Sequence, residues 1–287
     1  MWCWLRGGVL SIGLAIATVP AAVDAVDEEG QVAVGSPAPE SAAELVDRAF
    51  RNLYGEDYVQ VMTLATRARG SRDMKKRLQI TRRQSVRPGK ALLRFLAPAT
   101  IRRTSVLVLE NERAPDDLYV YLPGVRLTRH LSASQRSDSF FGTDLSYEDV
   151  EPKRVEDWEV AWADEGEAYD RPCALVELRV REGLESAYER TRSCIERERA
   201  IILWSDFYRH GSVLKRLEID PEQVKLVGNR YIPFLMTMTT PKMRSETRII
   251  TESYDLREAI PDELFSTWNL EVGDARRDRT NAGSPTF

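Results

Sequence analysis

Histidine and cysteine are scarce in this sequence, and the common catalytic signatures are missing. Its 287 residues include two histidines, His130 and His210, and three cysteines, Cys3, Cys173 and Cys194. No G-x-S-x-G, H-E-x-x-H, P-loop, G-x-G-x-x-G or C-x-x-C motif occurs in it. These absences argue against the usual hydrolase, zinc and nucleotide sites. We therefore expect a protein that is not an enzyme and that uses neither a cofactor nor a metal.

The chain also has no large excess of basic or acidic residues, although the two kinds are unevenly distributed along it. The chain carries 41 basic and 45 acidic side chains, a net charge of −4, which gives no general reason to expect nucleic-acid binding. Residues 67–103 hold 13 basic residues and one acidic residue, whereas residues 144–170 hold 11 acidic and two basic ones. Such blocks either attract a partner or are solvated outer faces. Arg82, Arg83 and Arg87 are our candidates for partner docking.

The N-terminus is the only long uncharged stretch of the chain. Seventeen residues without a charge, Gly7–Val23, follow Arg6. Val23 and Ala25 would then occupy the −3 and −1 positions of a cleavage site after Ala25. A charged start, a short apolar centre and a small-residue end are typical of a signal peptide. We predict a signal peptide at residues 1–25, cleaved near Ala25, and a flexible leader at 26–40. The alternative is an N-terminal anchor helix.

Export would give the two later cysteines an oxidising environment, in which disulfides persist. Cys173 begins one strand-like run, Cys173–Val180, and Cys194 ends another, Tyr188–Cys194. A hairpin turning at Gly183-Leu184 would place the two cysteines opposite each other, within reach of a disulfide. The alternative is a pair of free buried thiols.

The first predicted element is an amphipathic helix. Ser41 and Glu44 have the residue types and spacing of a capping box. Apolar residues then recur at helical spacing as Leu45, Val46, Ala49, Phe50 and Leu53, and Gly55 supplies a stop. The pattern predicts a helix that ends near Tyr54 and lies with one face on another element.

Strand-like runs dominate the rest of the chain and alternate with turn sequences such as Arg87-Pro88-Gly89 and Leu122-Pro123-Gly124. The predicted runs are 58–67, 74–86, 90–97, 104–110, 118–122, 125–131, 155–163, 173–181, 188–195, 200–208, 213–219, 230–240 and 247–254. They predict about a dozen strands in one antiparallel sheet, and a sheet of this size curls or closes. Pro261–Phe265 predicts one short helical turn. The fold class is therefore mainly β (α+β).

An apolar cavity between a curved sheet and a helix is a natural consequence of this architecture. In the run Arg230–Thr240 every second residue is large and apolar, and methionine adapts to varied apolar shapes. Our candidates for the lining of a lipid cavity are Ile232, Phe234, Met236, Met238, Met62, Leu64, Leu93, Phe95 and Trp204. The alternative is ordinary core packing, and a register error of one residue would exchange the two faces of a strand.

The irregular, aromatic and polar stretch Ser139–Asp149 joins the two blocks of strands. Together with Leu118–Pro123 before it and a strand from Val125, this stretch resembles the outer-membrane lipoprotein-sorting protein family. The closer resemblance is to the LolA-like branch that is often associated with RND-type lipid exporters. The hairpin 188–208, the turn at Gly211 and the turn 261–265 fit the same pattern, and the likeness covers Ala42–Leu270.

The resemblance implies an incomplete β-barrel of the LolA/LolB type, covered by the N-terminal helix and short helical segments. It implies one lipid-binding domain at residues 41–270, which leaves a loose tail at 271–287. It also implies a periplasmic carrier or chaperone for the acyl chains of a lipid or lipoprotein. The expected partners are an inner-membrane RND-type transporter and an outer-membrane acceptor, and no nucleic acid. The alternative is a periplasmic lipid-sensing regulatory protein of the same fold.

Overall fold

The computed structural model describes residues 40–70, 72–112 and 114–271. The predicted signal peptide, the predicted tail beyond Glu271, Cys3 and all of the predicted leader except Glu40 lie outside the described residues. Within the described part of the chain, no helix is long and apolar enough to cross a membrane.

Strands make up most of the described chain. Their bounds are β1 Tyr58–Ala68, β2 Met74–Arg83, β3 Lys90–Ala97, β4 Ser105–Leu109, β5 Asp117–Leu122, β6 Leu127–His130, β7 Trp158–Ala168, β8 Arg171–Val180, β9 Arg190–Glu196, β10 Ile201–Arg209, β11 Ser212–Ile219, β12 Val224–Val227, β13 Arg230–Pro233, β14 Leu235–Thr240 and β15 Ser245–Leu256. The α-helices are α1 Ala42–Tyr54 and α2 Thr267–Glu271, and short 3-10 turns span Ala133–Ser137, Glu148–Val150, Val155–Asp157, Pro221–Gln223, Pro241–Met243 and Asp262–Leu264.

Thirteen of these strands form one antiparallel sheet, and β12 and β13 pair separately as a hairpin. The order in the large sheet is β6-β5-β4-β3-β2-β1-β15-β14-β11-β10-β9-β8-β7. The sheet is not closed into a barrel, since β6 and β7 remain at opposite ends of the order. This confirms the predicted mainly β fold with one large, incomplete antiparallel sheet.

Alternation of side chains along β1 shows how the sequence assigns one face of the sheet to the interior. Tyr58, Gln60, Met62, Leu64 and Thr66 are all buried, while the residues between them are partly exposed. Successive side chains of a strand point to opposite faces, so these five share one face. That inner face carries most of the core.

Helix α1 packs against this inner face. Its capping box is present, with the Ser41 and Glu44 side chains each accepting from the other residue's backbone N–H, as predicted. Leu45 and Val46 are fully buried in a core formed with strands β7 to β11. Asn52 fastens the helix further, because its amide donates to the backbone oxygens of Arg199 and Ala200.

The predicted strand Arg230–Thr240 is two strands in the structure. Pro233 has no N–H to donate, and the Phe234 N–H bonds to the backbone oxygen of Gln223 rather than to the large sheet. The chain therefore leaves β13 and enters β14 at Leu235. Strand β12, which the sequence analysis did not predict, is the partner of β13.

Cys173 and Cys194 form the predicted disulfide, with their Cα atoms 5.4 Å apart. The predicted register was wrong by two residues, because Cys194 pairs with Leu175 in the ladder between β8 and β9. The connection, residues 181–189, is wider than a tight turn at Gly183-Leu184 would be. The bridge therefore joins diagonal neighbours instead of a directly opposed pair.

Candidate functional site

A predominantly apolar cavity lies between the inner face of the sheet and α1. Together with the open space at its mouth it has a volume of about 1280 Å³. Nine strands that are consecutive in the sheet, from β2 to β7, contribute side chains to it, so the sheet curves around the cavity. The sheet and hairpin lining is Tyr58, Gln60, Met62, Ile80, Arg82, Leu178, Thr191, Ser193, Ile202, Ser205, Phe207, Leu217, Ile232, Pro233, Met236, Met238, Ile249 and Tyr254. Helix α1 adds Phe50, Leu53 and Tyr54, strand β7 adds Trp158, and the connecting segments add Leu145, Asp149, Val150, Lys153 and Tyr188.

Four of the nine residues predicted to line a cavity lie on this wall. They are Met62 from β1, Ile232 from β13, and Met236 and Met238 from β14. The strands β1 and β14 both pair with β15, which brings the three methionines to neighbouring positions.

Leu64, Leu93 and Phe95 share the inner face but contribute to the solid core beside the cavity. Each is about 1% exposed. The aromatic segment after β6 covers them, and the ring of Phe95 lies 4.7 Å from that of Phe141 between centroids. Their alternation predicted the correct face of the sheet, but what covers that face depends on a distant part of the chain.

Trp204 and Phe234 differ from the prediction, because neither lines the cavity. An irregularity between Ile202 and Trp204 in the pairing of β10 with β9 interrupts the alternation. Ile202 consequently faces the cavity, whereas Trp204 packs against the guanidinium of Arg216. Phe234 lies at the break between β13 and β14, where Lys225 Nζ is 4.0 Å from the centre of its ring.

The segment Ser139–Asp149, on which the family resemblance rests, is fastened across the inner face of the sheet. The Asp144 carboxylate accepts from the hydroxyls of Ser245 and Thr247 at the start of β15. Leu145 and Asp149 of the same segment line the cavity. The sequence analysis did not assign these residues to a site, and the signal for it was the dense mixture of aromatic and acidic residues in a stretch without strand alternation.

A buried ion pair closes one part of the cavity wall. The Asp149 carboxylate lies 2.7 Å from Lys215 Nζ and accepts a hydrogen bond of 2.6 Å from the Tyr188 hydroxyl. Burial acts to raise the pKa of Asp149, but Lys215, Tyr188 and the Ser146 N–H together hold this pKa below its usual value. The pair is therefore charged and internally satisfied.

A second buried charge, Arg82, lies in the cavity without a carboxylate partner. The side chain is 2% exposed, its Nε donates to the Tyr58 hydroxyl at 3.1 Å, and its guanidinium lies 5.2 Å from the centre of the Tyr54 ring. Its Nη1 has no hydrogen-bond partner. Burial acts to lower the pKa of Arg82, but Tyr58, Tyr54 and Glu110 hold this pKa above its ordinary value, so the group stays charged.

The three arginines that we predicted to dock a partner do not form one outer surface. Arg82 points into the cavity, which corrects the prediction for that residue. Arg83 is largely buried and forms a salt bridge with Asp262 in the C-terminal 3-10 turn. Only Arg87 is well exposed, and its salt bridge is to the buried Glu110. The inward orientation of Arg82 follows from the strand period, because Leu78, Ile80 and Arg82 alternate on one face.

Glu148, Asp149 and Glu151, which belong to the acidic block 144–170, are buried and are not part of a solvated outer face. Glu148 accepts from the Ser186 hydroxyl and the Ala187 N–H, and Glu151 forms a salt bridge with Arg136. Burial raises the pKa of Glu151 to about 7 despite Lys153 and Arg136 nearby. Among residues 40–271, leaving out 71 and 113, no group of three histidine, cysteine or acidic side chains is arranged to hold a metal ion.

Comparison with known families decides membership. A family model described as that of an uncharacterized protein matches residues 88–272, well over half of the chain. The chain belongs to this family. No curated protein matches the sequence.

Solved structures establish the fold. A DUF1329 family protein from Desulfovibrio piger has a TM-score of 0.74 and 21% identity, over 80% of this chain and 97% of that one. A putative outer membrane lipoprotein-sorting protein domain from Vibrio parahaemolyticus has a TM-score of 0.74 and 19% identity, over 80% and 98%. A LolA superfamily protein from Nitrosomonas europaea has a TM-score of 0.67 and 16% identity, over 80% and 99%. The predicted resemblance to lipoprotein-sorting proteins is thereby confirmed at the level of the fold.

Proposed function

We propose that this protein is a periplasmic carrier that binds the acyl chains of a lipid or lipoprotein in the cavity between the sheet and α1. The observation that carries the proposal is the cavity itself. Its wall is predominantly aliphatic and aromatic, and it is built from nine consecutive strands and a helix. The buried polar groups on its wall are mostly paired with one another, as Ser193 is with Ser205 at 2.7 Å.

Burial of an acyl chain supplies the driving force for such binding. Each CH₂ group moved from water into an apolar site contributes about 0.8 kcal/mol. A lipid therefore leaves a membrane for an aqueous compartment only inside an apolar site of this kind. Adaptable side chains such as Met62, Met236 and Met238 fit chains of varied shape.

Location in the periplasm is supported by three separate features. Residues 1–25 have the pattern of a signal peptide. The Cys173–Cys194 disulfide is typical of an oxidising compartment. One structural neighbour is described as a putative outer membrane lipoprotein-sorting protein domain.

Transfer of the cargo requires donor and acceptor partners. We propose an inner-membrane transporter of the RND type and an outer-membrane acceptor. Among the three arginines considered for docking, Arg87 remains suitable because its side chain is 60% exposed. Exchange of lipid between donor and acceptor vesicles, measured with the wild type and Arg87→Glu, separates this surface from the cavity: slower exchange with unchanged lipid binding supports the docking role.

A pair of substitutions on one strand tests the cavity. Met236 lines it, and the next residue of β14, Thr237, points to the other face. We expect Met236→Glu to lower the affinity for a fluorescent fatty acid at least tenfold, because a charged carboxylate would occupy the apolar wall. Thr237→Glu is the matched control and should retain the affinity. Equal affinities in the two variants, with both folded by circular dichroism, would contradict the proposed site.

The vesicle exchange assay also distinguishes a carrier from a lipid sensor. A carrier accelerates exchange of lipid between donor and acceptor vesicles. Tight binding without any acceleration would favour the sensing function instead.

A further inference from the structure

We propose that Arg82 binds the anionic head, a carboxylate or a phosphate, of the amphiphile whose chain lies in the cavity. This inference rests on the proposed lipid-binding function and specifies its ligand. It starts from a charge that is buried beside the apolar lining and that forms no salt bridge with any carboxylate of the described residues.

Arg82 loses its hydration when it is buried, which costs free energy. A buried charge is tolerated when a partner of opposite charge and hydrogen bonds compensate for the lost water. In the described part of the chain no carboxylate forms a salt bridge with Arg82, and its Nη1 has no acceptor. Glu110 is near enough to influence the guanidinium, and its Oε1 also has no hydrogen-bond partner, but no salt bridge joins it to Arg82, and its Oε2 is held by Arg87 and by the Gly89 N–H.

Arg82 contrasts with the other two cations of the cavity region. Lys215 is paired with Asp149 at 2.7 Å. Lys153 donates to the backbone oxygen of Glu148, and the surrounding acids Glu148, Glu151 and Asp149 raise its pKa although burial opposes them. Of these three cations, Arg82 is the one with a buried side-chain nitrogen that has no hydrogen-bond partner.

The surroundings of Arg82 are suited to an anion. Tyr58 lies directly opposite Arg82 in the pairing of β1 with β2, and its hydroxyl oxygen accepts the Nε hydrogen bond. The phenolic proton of Tyr58 is therefore available to a ligand. The Tyr254 ring stacks on that of Tyr58 at 4.5 Å and fixes its position. A guanidinium N–H and a phenol O–H that converge give an oxyanion two charge-assisted or polar donors.

The position along the cavity matches the polarity of an amphiphile. Arg82 stands near the end of β2, and Ile80 precedes it on the same face. On β1 the corresponding face continues from Tyr58 through Gln60 to Met62. Phe50, Tyr54 and Lys153 line both the cavity and a polar groove on the outside, so the Tyr54 end borders solvent. A head at Arg82 leaves the apolar part of the cavity to the chain.

The experiment compares two ligands with the same chain length. Palmitate and hexadecanol compete with a fluorescent neutral acyl probe at pH 8, where palmitate is charged. We expect the full chain to bind palmitate about ten- to a hundredfold more tightly than hexadecanol, the range of a hydrogen bond to a charged group. In Arg82→Met this ratio should fall to about one, and Arg82→Lys should keep an intermediate ratio. Acetate or inorganic phosphate in excess should not displace the probe, since a free anion lacks the chain.

Arg77 gives a matched control on the same strand. It points to the outer face, where its side chain is 47% exposed and pairs with Glu252. Arg77→Met should leave the palmitate to hexadecanol ratio unchanged.

The outcomes separate this inference from the proposed function. Binding of both ligands with a ratio near one in the wild type, or an unchanged ratio in Arg82→Met, overturns the role of Arg82 and leaves lipid binding intact. Displacement of the probe by acetate or phosphate alone would indicate a site for free anions and would also overturn it. Binding of neither ligand contradicts both proposals. If Arg82→Met does not fold, the wild-type ratio and Arg82→Lys still decide the question.

Discussion

Buried charged residues distinguish the parts of this cavity that hold the fold together from the part that we assign to the ligand. Asp149 is surrounded by Lys215, Tyr188 and a backbone N–H, so its charge is fully accounted for within the protein. Arg82 has a hydroxyl and an aromatic ring beside it, but no carboxylate of the described residues forms a salt bridge with it. This difference leads to opposite expectations for their removal.

Replacement of Asp149 should be strongly destabilising. Asp149→Asn leaves the buried Lys215 without its counter-charge, and breaking a buried ion pair from one side costs about 3–5 kcal/mol. Urea unfolding at neutral pH measures the loss, and the double variant Asp149→Asn/Lys215→Met should recover part of it. A loss below about 1 kcal/mol in the single variant would show that the pair is not structurally important.

Glu151 should make the stability depend on pH in an unusual direction. Burial raises its pKa to about 7 in the folded protein, from an ordinary value of 4.5. The folded state thus binds the proton more tightly than the unfolded state, and the contribution of Glu151 is lost as the pH rises from about 5 through 7. The loss amounts to about 3 kcal/mol at most.

Glu151→Gln removes this titration and provides the measurement. The difference in unfolding free energy between the variant and the wild type should shift in favour of the variant from pH 5 to pH 8. Comparing differences cancels the titration of the other acids. A difference that is constant over this range, or that shifts towards the wild type, would contradict the assignment.

At the residue level, sequence patterns predicted which face of a strand a side chain lies on better than they predicted which residues contact it. Met236 and Met238 were found because a regular alternation runs through β14. Trp204 was misplaced because an irregularity in the pairing of β10 is not encoded in any simple alternation. Arg82 was predicted to lie on the outer surface because it belongs to the basic block 67–103. That prediction did not take into account that side chains alternate between the two faces of β2.

Among the elements, the disulfide between β8 and β9 is the feature most open to a direct test. Cys173 and Cys194 are both buried in the core that contacts α1. Reduction, or the double substitution to alanine, should lower the free energy of unfolding by about 3 kcal/mol, the value expected for a loop of this size. Denaturant unfolding with and without reductant measures it. Two thiols that react with an alkylating agent in the unreduced exported protein would contradict the bridge.

The sequence predicted local features of the helices and strands where residues at characteristic spacings mark them. The capping box at Ser41 and the cysteine pair both follow from short sequence spacings, and both are present. The register between β8 and β9 was not predictable to the residue, because the width of the connecting loop sets it. Strand β12 was missed, since a strand of four residues carries almost no periodic signal.

At the scale of the whole molecule, three features form the cavity and its surroundings. The sheet curves around the apolar cavity, α1 lines part of its wall, and the segment Ser139–Asp149 is fastened over the neighbouring part of the inner face. The first two follow from strand number and helix amphipathicity, which the sequence displays. The third depends on contacts between residues about 100 positions apart, such as Asp144 with Thr247, which no local pattern predicts.

Mass spectrometry under native conditions tests the central claim most directly. The protein is purified without detergent from the envelope of cells that produce it with its own N-terminus. The account predicts a mass above that of the polypeptide by one acyl lipid, and organic extraction should release a lipid with a carboxylate or phosphate head. A protein that carries no lipid and that takes up none from vesicles would contradict a carrier function.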